Sequence, residues 1–202
     1  DVARVPRVTL RGAAASSSAL VAVGTSGTVL HSLDGTRWTA RASGTTTQLN
    51  DVAFGAGRFV AVGETGRIYH STDGATWTEG SSPITSTLRA ITYADDLFVA
   101  VGDGGRIVTS LDGVTWANRS TTTANSFAAV ARHNGVWHAS SSTAEVFTSP
   151  DGALWTRLGA AGRTNSTQRM ISSGGVLLTT TTAGSIAFTE DPRAWMQQQL
   201  DP

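Results

Sequence analysis

The chain has 202 residues and carries 15 basic and 15 acidic side chains, so its formal net charge is zero. Every basic residue is Arg and no Cys is present, which excludes lysine-dependent catalysis, disulfide scaffolding and thiolate or cysteine-zinc chemistry. The neutral balance offers no electrostatic footprint for nucleic acid, and no apolar run approaches the roughly 20 residues of a membrane-spanning helix. Neither a nucleic-acid partner nor membrane insertion is expected. The chain opens at Asp1 without an apolar secretory stretch, as a processed or excised form would.

In chain order, the first strong signal is an apolar run over 20–24, closed by Gly24. Gly27 and Val29-Leu30 follow, and then Ser32-Leu33-Asp34-Gly35-Thr36-Arg37-Trp38. The same succession returns over 59–63, with Gly66, Ile68-Tyr69 and Ser71-Thr72-Asp73-Gly74-Ala75-Thr76-Trp77. It returns again over 98–102, with Gly105, Ile107-Val108 and Ser110-Leu111-Asp112-Gly113-Val114-Thr115-Trp116. A fourth copy of the tetrad is Ser149-Pro150-Asp151-Gly152-Ala153-Leu154-Trp155, and a weaker fifth is Thr189-Glu190-Asp191-Pro192-Arg193-Ala194-Trp195. Trp38, Trp77, Trp116, Trp155 and Trp195 are spaced by 39, 39, 39 and 40 residues.

Each unit predicts four short strands, typified by strand a over 49–54, b over 58–62, c over 67–71 and d starting at Trp77. Strand b is continuously apolar, as a strand covered on both faces should be. Glycine marks the b–c and c–d turns, and no helical period survives. Four antiparallel strands in about 40 residues describe a propeller blade. The chain therefore predicts a single all-β domain over 1–202. It is a five-bladed β-propeller of four-stranded antiparallel blades, with repeats near 1–39, 40–78, 79–117, 118–156 and 157–202. The repeated Trp is expected as the wedge between blades, each buried ring giving roughly 4–6 kcal/mol of gross burial. Strand order closes the ring edge to edge, the alternative being a larger ring completed by a partner chain.

The tetrad resembles that of the Asp-box family, also called BNR repeats, found in sialidase-like propellers and in propellers like the photosystem II assembly factor. The family spacing is Ser/Thr-x-Asp-x-Gly-x-x-Trp. Here Asp34-Gly35, Asp73-Gly74, Asp112-Gly113 and Asp151-Gly152 are adjacent, so the turn is one residue shorter. The resemblance implies a structural role for Asp34, Trp38, Asp73, Trp77, Asp112, Trp116, Asp151, Trp155, Asp191 and Trp195, on the rim away from any pocket. The local chemistry agrees, because a short carboxylate before Gly accepts backbone N–H bonds in its own turn.

A sialidase-like site needs an arginine triad, a Tyr with a Glu partner and an Asp acid. Tyr69 sits in an apolar strand c and Tyr93 ends a strand a, and no such set maps onto this chain. Glu64 and Asp103, in equivalent b–c turns, are the one conceivable carboxylate pair. His31 and His70 share a slot filled elsewhere by Thr and Phe, which marks packing. His133 and His138 flank an Asn-Gly turn and are expected at the surface. Trp137 is expected in the core. No metal site and no cofactor are expected.

The resemblance places ligands on the face of the b–c turns and the Ser/Thr-rich d–a loops. The candidate binding residues there are Arg11, Asn50, Asp51, Glu64, Arg89 and Asp103, with pairing of Arg11 and Arg89 to Asp51 as the plainer alternative. The leading reading is a non-enzymatic binding or scaffold propeller presenting one face to a glycan or protein, extracellular or at the cell surface or in the periplasm. The alternatives are a sialidase-like glycoside hydrolase and a structural subunit of a larger assembly.

Overall fold

The computed structural model describes residues 8–143, 145–159, 167–181, 185–191 and 196–199. They form five four-stranded antiparallel meanders. Blade 1 holds β1 (Leu10–Ala15), β2 (Leu20–Gly24), β3 (Val29–Ser32) and β4 (Thr39–Arg41). Blade 2 holds β5 (Leu49–Gly55), β6 (Arg58–Gly63), β7 (Ile68–Ser71) and β8 (Thr78–Glu79). Blade 3 holds β9 (Leu88–Ala94), β10 (Leu97–Gly102), β11 (Ile107–Ser110) and β12 (Ala117–Asn118). Blade 4 holds β13 (Phe127–His133), β14 (Val136–Ser141), β15 (Val146–Ser149) and β16 (Thr156–Gly159). Blade 5 holds β17 (Thr167–Ser173), β18 (Val176–Thr181), β19 (Ser185–Thr189) and β20 (Met196–Gln199). This is a five-bladed β-propeller. The outermost strands are shorter than expected: β8 begins after Trp77 and has two residues.

The apolar second strands behave as their composition demands. Phe59, Val60, Ala61 and Val62 are all buried, because a blade lies against each side of β6. Val21, Val52, Phe59 and Tyr69 form the core between blades 1 and 2. Val60, Leu88, Phe98 and Trp116 fill the next interface. Val99, Phe127, Trp137 and Phe147 fill the third, so Trp137 is a core residue as expected. Met170 and Leu177 pack on Ala129 and Ala131 in the fourth. The seam from blade 5 to blade 1 differs. Leu10 holds the slot that Leu49 buries in blade 2, yet it is 47% exposed, and Ile171 on the facing blade is 57% exposed.

The c–d hairpins of blades 1 to 4 are held by their own side chains. In the second copy, Asp73 Oδ1 accepts the Ala75 and Thr76 amides at 2.8 and 2.7 Å, and the Ser71 hydroxyl at 2.9 Å. Asp34, Asp112 and Asp151 repeat this pattern. These backbone bonds hold the carboxyls of Asp34, Asp73 and Asp112 down to about 2, and lower that of Asp151. A carboxyl whose folded-state pKa is depressed stabilises the fold above its unfolded value and loses that contribution as pH falls. Urea midpoints are therefore expected to decline between about pH 3.8 and 2, and a variant with Asn at all four positions should lack that decline.

The tryptophans depart from the expected wedge. Trp38, Trp77 and Trp155 are only half-buried, because each Nε1 donates to its own hairpin, to the carbonyls of Gly35, Gly74 and Gly152 at 3.0–3.1 Å. Among the described box tryptophans, Trp116 alone is buried. The part that docks on the preceding blade is the box glycine. A Cβ on Gly74 would stand 2.7 Å from Val21 and 3.2 Å from His31 of blade 1, and one on Gly113 would press on Val60 of blade 2. Gly35, at the seam, meets nothing. Asp191 is exposed and Trp195 lies outside the described residues. His133 and His138, expected at the surface, are buried between blades 4 and 5. His31 is buried and His70 half-buried against Arg58, consistent with packing.

Candidate functional site

The innermost strands all carry a bulge near their start. The register slips between Leu10 and Gly12, Leu49 and Asp51, Phe127 and Ala129, and Thr167 and Arg169, and opposite Arg89 in blade 3. A bulge re-aims the residue it displaces. The displaced residues are Arg11, Asn50, Arg89, Ala128 and Gln168.

Asn50 and Asp51 are spent on the scaffold. Asn50 Nδ2 donates to the Leu88 carbonyl at 2.7 Å, and Asp51 Oδ2 accepts the Ile91 amide at 3.1 Å, both across to blade 3. Asp51 is also 3.2 Å from Arg169 Nη1, and the same guanidinium donates to the Arg11 carbonyl. One carboxylate thus links blades 2, 3 and 5, and Arg169 adds blade 1. Gly12, at the same slot in blade 1, makes this possible, since a Cβ there would collide with Asp51. Burial pushes the Asp51 carboxyl up, against the opposing pull of Arg169 and the Ile91 amide.

The pairing of Arg11 and Arg89 with Asp51 is therefore corrected. Arg169 takes that place, and Arg89 pairs instead with Asp103 on its own b–c turn. Among the described residues, the Arg11 guanidinium and the Glu64 carboxylate have no ionic partner. Glu64 and Asp103 do not present a free pair of acids, because Asp103 is engaged.

Outside the channel, described residues of the same face line grooves between blades 1 and 2, 2 and 3, and 3 and 4. In blades 1 to 4 the b–c turn is tied to the residue before strand a of its own blade: Thr25, Glu64, Asp103 and Ser142 donate their amides to the carbonyls of Thr9, Gln48, Thr87 and Ser126 at 2.8–3.1 Å. The d–a loops over 42–48, 80–87 and 119–126 cross between blades beside these turns, and each borders a groove. The groove between blades 1 and 2 has a volume of about 710 Å³ and is lined by the 41–47 loop, Leu30, Arg41, Arg67 and Tyr69. The next holds about 300 Å³ beside Arg106, and the third about 600 Å³ over Phe147, beside Glu145 and Arg157.

Tyr69 sets the first groove apart. Leu30, Val108, Phe147 and Ala187 occupy its slot in the other blades. Tyr69 is 1% exposed, and its hydroxyl is sealed with no hydrogen-bond acceptor in reach. Its neighbour Arg67, which pairs with Glu79, is a donor only, so the phenol proton has no acceptor. Arg41, Arg67 and Arg169 are absent from the binding residues expected from the sequence, and Tyr69 was expected only as part of an apolar strand c. A lone Tyr in an otherwise apolar slot was the one available signal.

No family description and no curated protein matches the chain. Solved structures do match. YCF48 bound to a D1 peptide superposes with a TM-score of 0.73 at 20% identity, covering 95% of this chain and 67% of that one. YCF48 from Cyanidioschyzon merolae gives 0.72 at 18% identity, covering 96% and 73%. A chain of the nidogen/laminin complex gives 0.73 at 13% identity, covering 92% and 77%. The shared fold is the β-propeller. At these identities the likeness extends to the fold and no further.

Proposed function

We propose that this chain is a non-enzymatic binding propeller whose b–c face holds an extended protein segment in the grooves between blades. The observation that carries the reading is the groove between blades 1 and 2. It is the largest of the three, it is rimmed by Arg41 and Arg67, and it is floored by a buried phenol without an acceptor. A bound segment offers what the groove lacks, namely main-chain carbonyls and acceptor side chains for Tyr69, with apolar side chains over Leu30. Two of the similar structures, YCF48 bound to a D1 peptide and a chain of a nidogen/laminin complex, were solved in protein complexes, which supports a protein ligand over a glycan. The shortened hairpin box supports kinship with Asp-box propellers, in which the box is structural and leaves the opposite face free.

The test is selection from a random peptide library displayed on phage. Enriched peptides are expected to bind the parent and to lose about tenfold in affinity on Tyr69→Phe, the value of one hydrogen bond made in a desolvated site. Peptides indifferent to both Tyr69→Phe and Arg67→Ala, or no enrichment beside specific binding on a glycan array, would overturn the protein-segment reading.

A further inference from the structure

Blades 2, 3 and 4 carry a matched pair of positions on strands c and d. Arg67, Arg106 and Glu145 stand two residues before Tyr69, Val108 and Phe147. The ladder partners of those three residues are Glu79, Asn118 and Arg157. In blade 2 the positions close as an ion pair, Arg67 with Glu79. In blade 4 the charges are exchanged and the pair closes again, with Arg157 Nη2 2.6 Å from Glu145 Oε1. In blade 3 Arg106 keeps the cation, but Asn118 stands where the acid would be. Among the described residues, the half-buried Arg106 guanidinium has neither an ionic partner nor a hydrogen bond.

Arg106 and Asn118 both line the groove between blades 2 and 3, which holds about 300 Å³ beside the 82–86 loop. That lining has one cation, the hydroxyls of Thr85 and Ser86, and no Asp or Glu. Asn118 adds no negative charge. Its Oδ1 is taken by the Ser120 amide at 2.9 Å and the Ser120 hydroxyl at 2.5 Å, so its remaining polar atom, Nδ2, is a donor only. A half-buried guanidinium among donors calls for an acceptor with charge. Blades 2 and 4 show which one fits, since each sets a carboxylate against the arginine of this pair. The planar fork of Arg matches the two oxygens of such a group.

We propose that the groove between blades 2 and 3 binds a carboxylate, which takes at Arg106 the place that Glu79 takes at Arg67. An Asp or Glu side chain of a bound segment and a free carboxylic acid offer the same group, and only the first rests on the segment-binding reading of this face. Propionate, titrated into ¹⁵N-labelled protein against chloride at equal ionic strength, tests the site itself. It is expected to move the Arg106 Nε–H and Asn118 side-chain signals and to leave those of Arg67, whose partner is in place. Asn118→Glu builds the blade 2 pair into blade 3, so the variant should fold and the Arg106 signal should stop responding. Arg106→Gln should silence the Asn118 signal. The peptides acetyl-Thr-Val-Glu-Val-Thr-amide and acetyl-Thr-Val-Gln-Val-Thr-amide separate the two sources. A segment side chain predicts about fivefold tighter binding of the Glu peptide, lost in Arg106→Gln. Propionate binding without that preference would support a free acid as the occupant. Chloride acting as propionate does, or a propionate response that survives both variants, would overturn the site. Failure of the Tyr69→Phe test in the first groove would leave the propionate result standing, so the two readings fail separately.

Discussion

Gly66→Ala is expected to cost about 3 kcal/mol, close to the upper end for a single substitution. Two effects add. Gly66 has a φ of +72°, where Ala is disfavoured by roughly 1 kcal/mol. A Cβ there would also overlap the Ile84 carbonyl oxygen, a backbone atom that cannot rotate aside. Ile84 is buried in the core between blades 2 and 3, so moving it disturbs the interface as well as the loop. Gly57 is the control. Its φ is +71°, yet a Cβ there meets nothing within 4 Å. Gly57→Ala should therefore cost only the backbone part, about 1 kcal/mol. For a domain of this size the two variants should differ in Tm by about 4–8 °C. Equal melting shifts would mean that the b–c turn glycine serves its own dihedral and does not seat the d–a loop.

That contact recurs at Gly27 with Thr45 and at Gly105 with Thr123, and it explains why the fold was legible in the sequence. The repeat is written in local chemistry: a glycine where φ must be positive, a carboxylate that closes its own hairpin, an apolar strand sandwiched by its neighbours. Such features need no knowledge of distant partners. The box tryptophans looked like wedges because a large apolar ring belongs in a core, but the Nε1 bond to the hairpin's own glycine carbonyl holds three of them half out. His133 and His138 looked superficial beside an Asn-Gly turn. Their burial comes from blade 5, whose Ser172 reaches across to His133. The partner of Asp51 was illegible for the same reason. It depends on the curvature of the whole ring, which brings a blade 5 side chain past Gly12, and no local pattern encodes that. Tyr69 was visible as a residue but not as a site, since only packing shows that its hydroxyl is sealed without an acceptor.

Asp51→Ala is expected to cost about 2 kcal/mol. Most of that comes from the buried Ile91 amide, which loses its acceptor. The Arg169 ion pair adds less, because its guanidinium is half exposed and water screens the charge. Asp51→Asn keeps an acceptor for Ile91 and should cost about half as much. The two variants also separate the sign of the charge effect. Because burial raises the folded-state pKa of Asp51 above 3.8, the ionised carboxylate is held at a cost to stability at neutral pH. That cost is relieved as pH falls through the folded pKa toward 3.8, opposite in direction to the hairpin carboxylates. Asn at this position cannot gain from protonation. The gap in urea midpoint between parent and Asp51→Asn should therefore widen as pH is lowered from 7 toward 4. A gap that narrows would place the folded-state pKa below 3.8, with Arg169 and the Ile91 amide outweighing burial. Thermal unfolding should report the same change at the seam, because Arg169 released from Asp51 also loses its hold on the Arg11 carbonyl. Among the described residues the interface of blades 4 and 5 holds the smallest buried apolar cluster, so blade 5 is the blade expected to detach first in hydrogen exchange once that link is cut.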